Sequence, residues 1–218
     1  MVLGIYGSGS LGREVLELAR CIQDAQTRWS KIVIIDDYSN EPSKNGSDLL
    51  SFSAFRDLYS SNAAEVSIAI GEPVSRKKVS KAVADADYAL AVLVHPSIVI
   101  SESTTLKPGA TVCANAFISC NCILGANSYI QPHAQISHDC VLGDHVVVSP
   151  SANLAGSITV GEGSYIGMGA IIKERTSIGE WTIIGMGSVV YKNVGDEVVA
   201  IGNPARVIKG NTERKVFK

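Results

Sequence analysis

The chain of 218 residues has no surplus of positive charge, since 19 Lys and Arg stand against 21 Asp and Glu. Proteins that hold nucleic acid by neutralising phosphates need such a surplus, so that class is disfavoured. Long apolar runs are also missing: the longest, Tyr88 to Val94, is far short of the roughly 20 residues that cross a bilayer. No membrane insertion is expected. Met1 to Gly12 carries no basic leader ahead of a glycine-rich turn, which argues against a signal peptide. Cysteines are few and odd in number (Cys21, Cys113, Cys120, Cys122, Cys140), with no paired CxxC spacing for a metal. Reduced thiols in a cytoplasm are the expectation. The residues that are present, 46% apolar and 18% charged with 20 glycines, belong to a folded globular chain of at most two modules. A small molecule is the expected partner.

The second half carries a repeat of period six. Stepping by six from Ile100 to Val190 meets only Ile, Leu or Val, sixteen times in succession. Four residues after each aliphatic the side chain is usually small, as in Ala110, Cys122, Ala134, Cys140 and Ala170, with Val146, Ile158 and Val194 as bulkier exceptions. A period of six fits neither a helix nor one alternating strand. It fits a short strand plus a turn, three such units closing a triangular coil of eighteen residues with the aliphatics inside. Gly125, Gly143, Gly161, Gly167, Gly179 and Gly185 follow the aliphatic directly and are expected to serve the turns between faces. Cys122 and Cys140, eighteen apart, should stack as small buried fillers.

The first ninety residues read as strand, glycine turn, helix: Val2 to Tyr6, then Gly7-Ser8-Gly9-Ser10-Leu11-Gly12, then a helical pattern from Arg13. The glycines allow a tight turn and close backbone approach, and the free N–H groups of the helix start favour a phosphate. The same turn could simply pack a helix on a sheet. Lys31 to Asp37 predicts a second strand with Asp36 and Asp37 at its C-terminal end, where a ribose or base edge lies in such folds, or where a strand merely meets solvent. Ala64 to Ile70 predicts a third strand, closed by Gly71-Glu-Pro; Val74 to Ala86 predicts a helix and Tyr88 to Val94 a last strand. Ninety residues supply one half of a dinucleotide fold, so a single nucleotide moiety fits better.

The hexads Ile136-Ser-His-Asp-Cys-Val and Val160-Gly-Glu-Gly-Ser-Tyr and the closing Gly202-Asn-Pro-Ala-Arg-Val resemble the left-handed β-helix acyltransferases. Joined to the glycine-turn module, nearly the whole chain is similar to the bacterial sugar O- and N-acetyltransferases of sialic acid and diacetamido-sugar pathways. The resemblance implies a Rossmann-like nucleotide-sugar-binding domain at 1–93 and a left-handed parallel β-helix with a C-terminal tail at 94–218. It implies acetyl-CoA as cosubstrate without a metal, a nucleotide-sugar acceptor held by Gly7 to Gly12, Asp36, Asp37 and Gly71, and a homotrimer with active sites between neighbours. His138 matches the family's catalytic base and Asp139 its adjacent acid; an imidazole titrating near neutrality can take a proton from an attacking amine or hydroxyl. Gly156 matches the position whose N–H lies near the acetyl group, and Met168 and Met186 match positions along the pantetheine path. Lys173, Arg175, Lys192, Arg206 and Lys209 form a late-chain basic set from which the anionic end of CoA is expected to be met, each equally readable as a solvated charge. One departure is Leu11, where members that use UDP-4-amino-sugars carry a histidine, and it leaves the nucleotide open.

The expected activity is N-acetylation of a nucleotide-linked amino-deoxysugar for a bacterial surface glycan, with sugar O-acetylation as the alternative. A trimer that binds nucleotide-sugars with a silent β-helix is a further reading. His133 and His138, five apart, also resemble two zinc ligands of the γ-class carbonic anhydrases; the third ligand is missing near Ser97, although His95 is close, and His145 lies in another hexad.

Overall fold

The computed structural model describes residues 1–39 and 41–217. Its N-terminal part is a six-stranded sheet built from β1 (Val2–Tyr6), β2 (Lys31–Ile35), β3 (Ser43–Lys44), β4 (Ser47–Leu50), β5 (Ala64–Ile68) and β6 (Ala89–Leu90), in the order β3-β4-β2-β1-β5-β6. All neighbours are parallel except the β3–β4 hairpin. Helices α1 (Ser10–Gln26), α2 (Phe52–Leu58) and α3 (Pro73–Ala84) complete it. Val15, Leu16, Ala19 and Ile22 form the buried stripe of α1, at helical spacing.

The hexads form a three-sided prism in which each hexad from Leu106 to Val190 gives one two-residue strand ending in its aliphatic. Strands eighteen residues apart pair in parallel, as Ile118 does with Ile136 and Ile136 with Leu154. A first face ends its strands at Ile118, Ile136, Leu154, Ile172 and Val190. A second ends at Leu106, Leu124, Leu142, Val160 and Ile178, and a third at Val94, Val112, Ile130, Val148, Ile166 and Ile184. The inward aliphatics and the small residues four places on make one continuous buried core. Each inward Ile, Leu or Val withdrawn from water contributes about 1.5–3 kcal/mol.

Three features differ from the sequence expectation. The run Tyr88 to Val94 is not one strand: Ala89–Leu90 joins the N-terminal sheet, whereas β7 (Leu93–Val94) pairs with Thr111–Val112 on the third face. The repeat therefore begins one hexad before Ile100, and Ile100 is half-buried without forming a strand. The glycine after the aliphatic also has a different cause. A Cβ on Gly125 would come within 2.3 Å of the Gly143 backbone one coil on, so what excludes a side chain there is the close approach of successive coils. The left-handed backbone of each corner falls two residues later, at Asn121, Asn127, His133, Asp139 and His145 among others. Beyond the last hexads, Val198–Gly202 and Ala205–Gly210 form an antiparallel hairpin on the third face, which period six did not reveal.

The third face is covered by α1: Val15, Leu16 and Leu18 share one apolar cluster with Leu93, Cys113, Tyr129 and Val147. The other two faces keep Phe117, Ile171, Ile123 and Val141 exposed. Residues two places after each aliphatic line the prism edges. The edge between first and second faces carries Cys120, His138, Gly156, Glu174 and Lys192.

Candidate active site

A cavity of about 650 Å³ opens at the C-terminal ends of β1, β2 and β5. Gly7, Ser8, Gly9, Ser10, Leu11, Asp36, Asp37 and Gly71 line it, with Tyr6, Tyr38, Ser75 and Lys78. Gly12 does not. A Cβ there would meet the Gly7 carbonyl at 2.0 Å, so Gly12 lets α1 start close against the turn. Gly7 itself is left-handed, φ +121°, and a Cβ would press on the Ala69 carbonyl at 2.6 Å. The start of α1 has no side-chain cap and no acidic residue in its first turn. Among the described residues no side chain accepts the N–H groups of Ser10 and Leu11, which line the cavity, and a helix start of this kind favours an anion.

The two aspartates have different tasks. Asp36 accepts the Ser8 N–H at 3.1 Å and the Tyr38 N–H at 2.9 Å. Partial burial opposes its ionisation, but the Ser8 and Tyr38 hydrogen bonds and the nearby Lys44 charge outweigh it and hold the carboxyl below its usual range. Asp37 accepts the Tyr6 hydroxyl and, at 2.7 Å, the Phe52 N–H at the start of α2. Burial first, and then the bond to Asp37, push the Tyr6 phenol up. Lys44, whose Nζ lies 3.4 Å from Ser8 Oγ, and Lys78 on α3 bring cations to this turn. Sequence reasoning missed both, because the β3–β4 hairpin has no periodic signal and Lys78 reads as an ordinary surface lysine. Arg76, fully buried, donates to the Gly71 carbonyl at 3.0 Å and to the Asn127 carbonyl of the prism at 3.0 Å, tying the loop that closes the cavity to the β-helix.

The second cluster lies on the prism edge. His138 Nδ1 is 2.7 Å from Asp139 Oδ2, and Asp139 Oδ1 accepts the Asn121 amide at 3.1 Å. The hydrogen bonds from His138 and Asn121 hold the Asp139 carboxyl below its usual range. An ionised carboxylate only accepts, so Nδ1 carries the proton and the Nε2 lone pair is free to act as a base. Gly156 follows one coil on, in contact with the ring, and its N–H makes no hydrogen bond among the described residues. His138, Gly156, Ser157, Glu174 and Arg175 enclose a cleft of about 280 Å³. Three coils from His138, about 14 Å at the usual strand spacing, Lys192 and Arg206 line a further hollow of about 550 Å³.

Not all the expected residues meet within one chain. Met168 and Met186 are exposed on the edge between third and first faces, across the first face from His138. Their eighteen-residue spacing stacks them with each other, while the thirty residues from His138 to Met168 do not complete whole coils. The glycine-turn cavity shares no lining residue with the His138 cleft. His133 and His138 flank the strand Gln135–Ile136 and stand on different edges, so their spacing does not converge on one ion. His95 is engaged locally with Ser97, Nδ1 to Oγ at 2.8 Å. His145 is buried against Arg76, and burial first, then that charge, push it down to about 4. Cys122 and Cys140 are buried in successive coils as expected, with the Cys140 thiol pushed up to about 11 by burial.

Comparisons with known proteins agree with this architecture. The PglD N-terminal domain family matches residues 2–83, and the bacterial transferase hexapeptide family (six repeats) matches 121–156 and 157–192. The acetyltransferase domain of PglB from Neisseria gonorrhoeae, solved with acetyl coenzyme A, is 29% identical, with 95% of this chain and 98% of that chain covered and a TM-score of 0.89. PerB from Caulobacter crescentus, solved with CoA and GDP-perosamine, is 30% identical over 96% of this chain and 98% of that one, with a TM-score of 0.85. WeeI from Acinetobacter baumannii is 30% identical over 95% of this chain and 100% of that one, with a TM-score of 0.87. No curated protein sequence matches the chain. With a glycine-turn module, a hexapeptide prism and end-to-end similarity to PerB and WeeI, the chain belongs to the sugar acetyltransferases of the left-handed β-helix family.

Proposed function

We propose that the protein is an acetyl-CoA-dependent N-acetyltransferase acting on the amino group of a nucleotide-linked amino-deoxysugar, in bacterial surface glycan biosynthesis. The observation that carries this reading is the His138–Asp139 pair beside Gly156, on a chain with an anion-favouring glycine-turn cavity. PerB, solved with CoA and GDP-perosamine, and PglB, solved with acetyl coenzyme A, support the two substrates.

In this reading the acceptor amine attacks the thioester carbonyl while His138 Nε2 takes its proton, and Asp139 supports the imidazolium that develops. The Gly156 N–H donates to the oxyanion without reorganisation. As the C–S bond breaks, the imidazolium returns the proton to the CoA thiolate, leaving an amide and a free thiol. Such a base contributes roughly a hundred- to ten-thousand-fold, and positioning of the two substrates much of the rest. Gly7 to Leu11, Asp36, Asp37 and Gly71 hold the nucleotide, Gly12 sets the helix start, and Lys44 and Lys78 meet its phosphates. Arg206 and Lys192 receive the anionic end of CoA.

The protein is a cytoplasmic homotrimer in this reading. Two prism faces expose Phe117, Ile171, Ile123 and Val141 on either side of the His138 edge, where packed neighbours would bury them and bring Met168 and Met186 of one subunit toward His138 of another. That arrangement also accounts for two sites that share no lining residue within a chain. The test is a thermal-shift panel of UDP-, GDP- and dTDP-linked 4-amino-sugars with and without acetyl-CoA, followed by turnover. Acetyl transfer to one such amine, lost in His138→Ala with the fold retained, is the expected result. Turnover only on hydroxyl groups would shift the assignment to sugar O-acetylation, and undiminished turnover in His138→Ala would overturn the mechanism.

A further inference from the structure

We infer that Asn121 is a positioning residue for the His138–Asp139 pair, holding one carboxylate oxygen of Asp139 so that the other faces the imidazole. The inference rests on the reading of His138 as the base. Asn121 and Asp139 occupy the same hexad position in successive coils, both in left-handed backbone with φ 56° and 60°. Asn121 Nδ2 reaches Asp139 Oδ1 at 3.1 Å, and Asp139 Oδ2 is 2.7 Å from His138 Nδ1. One coil earlier, Ser103 Oγ accepts the Asn121 N–H at 3.0 Å and lies 3.0 Å from Ser101 Oγ. Three stacked coils thus direct a line of hydrogen bonds at the ring. A carboxylate tied at one oxygen loses the rotation that would take it away from Nδ1, and a fixed partner favours the charged imidazolium.

Asparagine is also common in left-handed backbone for its own sake, as at Asn115 and Asn127. Glycine separates the two explanations, since Asn121→Gly keeps the backbone conformation and removes the amide. Asn121→Asp keeps the side-chain shape, replaces the amide donor by a carboxylate set against Asp139 Oδ1, and adds negative charge near the ring. The titratable groups about the ring keep their identity in either variant: Asp139 on its own turn, Cys120 at the same edge position one coil before, and Glu174 and Arg175 in the cleft.

The measurement is an NMR titration of the His138 ring in the full chain, assigned by His138→Ala, so no acceptor sugar is needed. Asn121→Gly should lower the His138 midpoint by roughly half a pH unit and Asn121→Asp should raise it. In an Asp139→Asn background, Asn121→Gly should change nothing further. Movement in these opposite directions is beyond a purely structural residue. A wild-type titration in folded Asn121→Gly, or the same shift in both variants, overturns the inference; Asn121→Asp keeps the comparison available if the glycine variant is unstable. Undiminished turnover in His138→Ala would overturn the base reading while leaving this titration intact, so the two failures are distinguishable.

Discussion

A Cβ built on Gly156 would lie 2.5 Å from Cε1 of His138, so the ring rests on a backbone with no room for a methyl group. Gly156 is not in the left-handed region, so alanine is tolerated by the backbone and acts through the ring alone. Gly156→Ala should displace the imidazole and lower kcat by about a hundredfold, the scale expected for a displacement near 1 Å. The melting temperature should stay close to wild type. Steady-state kinetics beside a thermal melt check this, and an unaltered kcat would show that the ring does not act from this position.

Lys44 and Lys78 approach the glycine turn from a hairpin and a helix that are far apart in sequence. If they meet the phosphates of the acceptor, Lys44→Ala or Lys78→Ala should raise KM for the nucleotide-sugar roughly tenfold, the loss of one hydrogen bond to a charged group. KM for acetyl-CoA and kcat should change little. The double variant should approach additivity only if the lysines hold different phosphate oxygens.

The prism was legible in the sequence because its cause is local and periodic: one aliphatic per hexad and a small residue beside it give the core without knowledge of any contact. The glycine turn and Asp36 were legible for a similar reason, since backbone chemistry concentrates in a few adjacent residues. What escaped depends on tertiary placement. Lys44 reaches Ser8 through the β3–β4 hairpin, Arg76 is buried only because α3 meets the prism at Asn127, and Asn121 meets Asp139 only across an eighteen-residue coil. The glycines after the aliphatics look like turn residues in the sequence, whereas the close approach of successive coils excludes their side chains.

His145 supplies a pH dependence of stability. In the folded chain it is pushed down to about 4 by burial and by the Arg76 charge, whereas an exposed histidine titrates near 6.5. Between those values the unfolded chain binds the proton and the folded chain does not, so stability falls as pH drops through that window and is unaffected above it. The loss should be on the order of 2–3 kcal/mol by about pH 4. His145→Asn, which tolerates the left-handed backbone there, should flatten this slope in melts recorded across the window. A variant with the wild-type slope would assign the acid sensitivity to other groups.

The C-terminal tail returns to the Gly71-Glu72 loop beside the glycine-turn cavity, with the Glu72 carboxylate accepting the N–H groups of Val216 and Phe217 at 3.0–3.1 Å. Phe217 also stacks edge-on against Tyr165, at 5.6 Å between ring centroids. Glu72→Ala removes the acceptor and leaves the aromatic contact, so the tail should open more often without global unfolding. Limited proteolysis should cut after Arg214 or Lys215 several-fold faster in the variant, with the melting temperature nearly unchanged.

Ile171 is exposed at the outward position of a strand on the first face, between the Met168 edge and the His138 edge. Its neighbour Ile172 points inward and is fully buried, so the two adjacent isoleucines separate assembly from folding. Ile171→Glu should leave the prism core intact and place a charge in the subunit contact of the proposed trimer, where desolvating it without a partner is costly. Sedimentation should then show a folded monomer in place of a trimer. In the proposed trimer Met168 and Met186 reach His138 from a neighbouring copy, so turnover should be lost along with it. Full activity in a folded monomer would instead place the whole acetyl-CoA path within one chain, along the edge from His138 to Lys192.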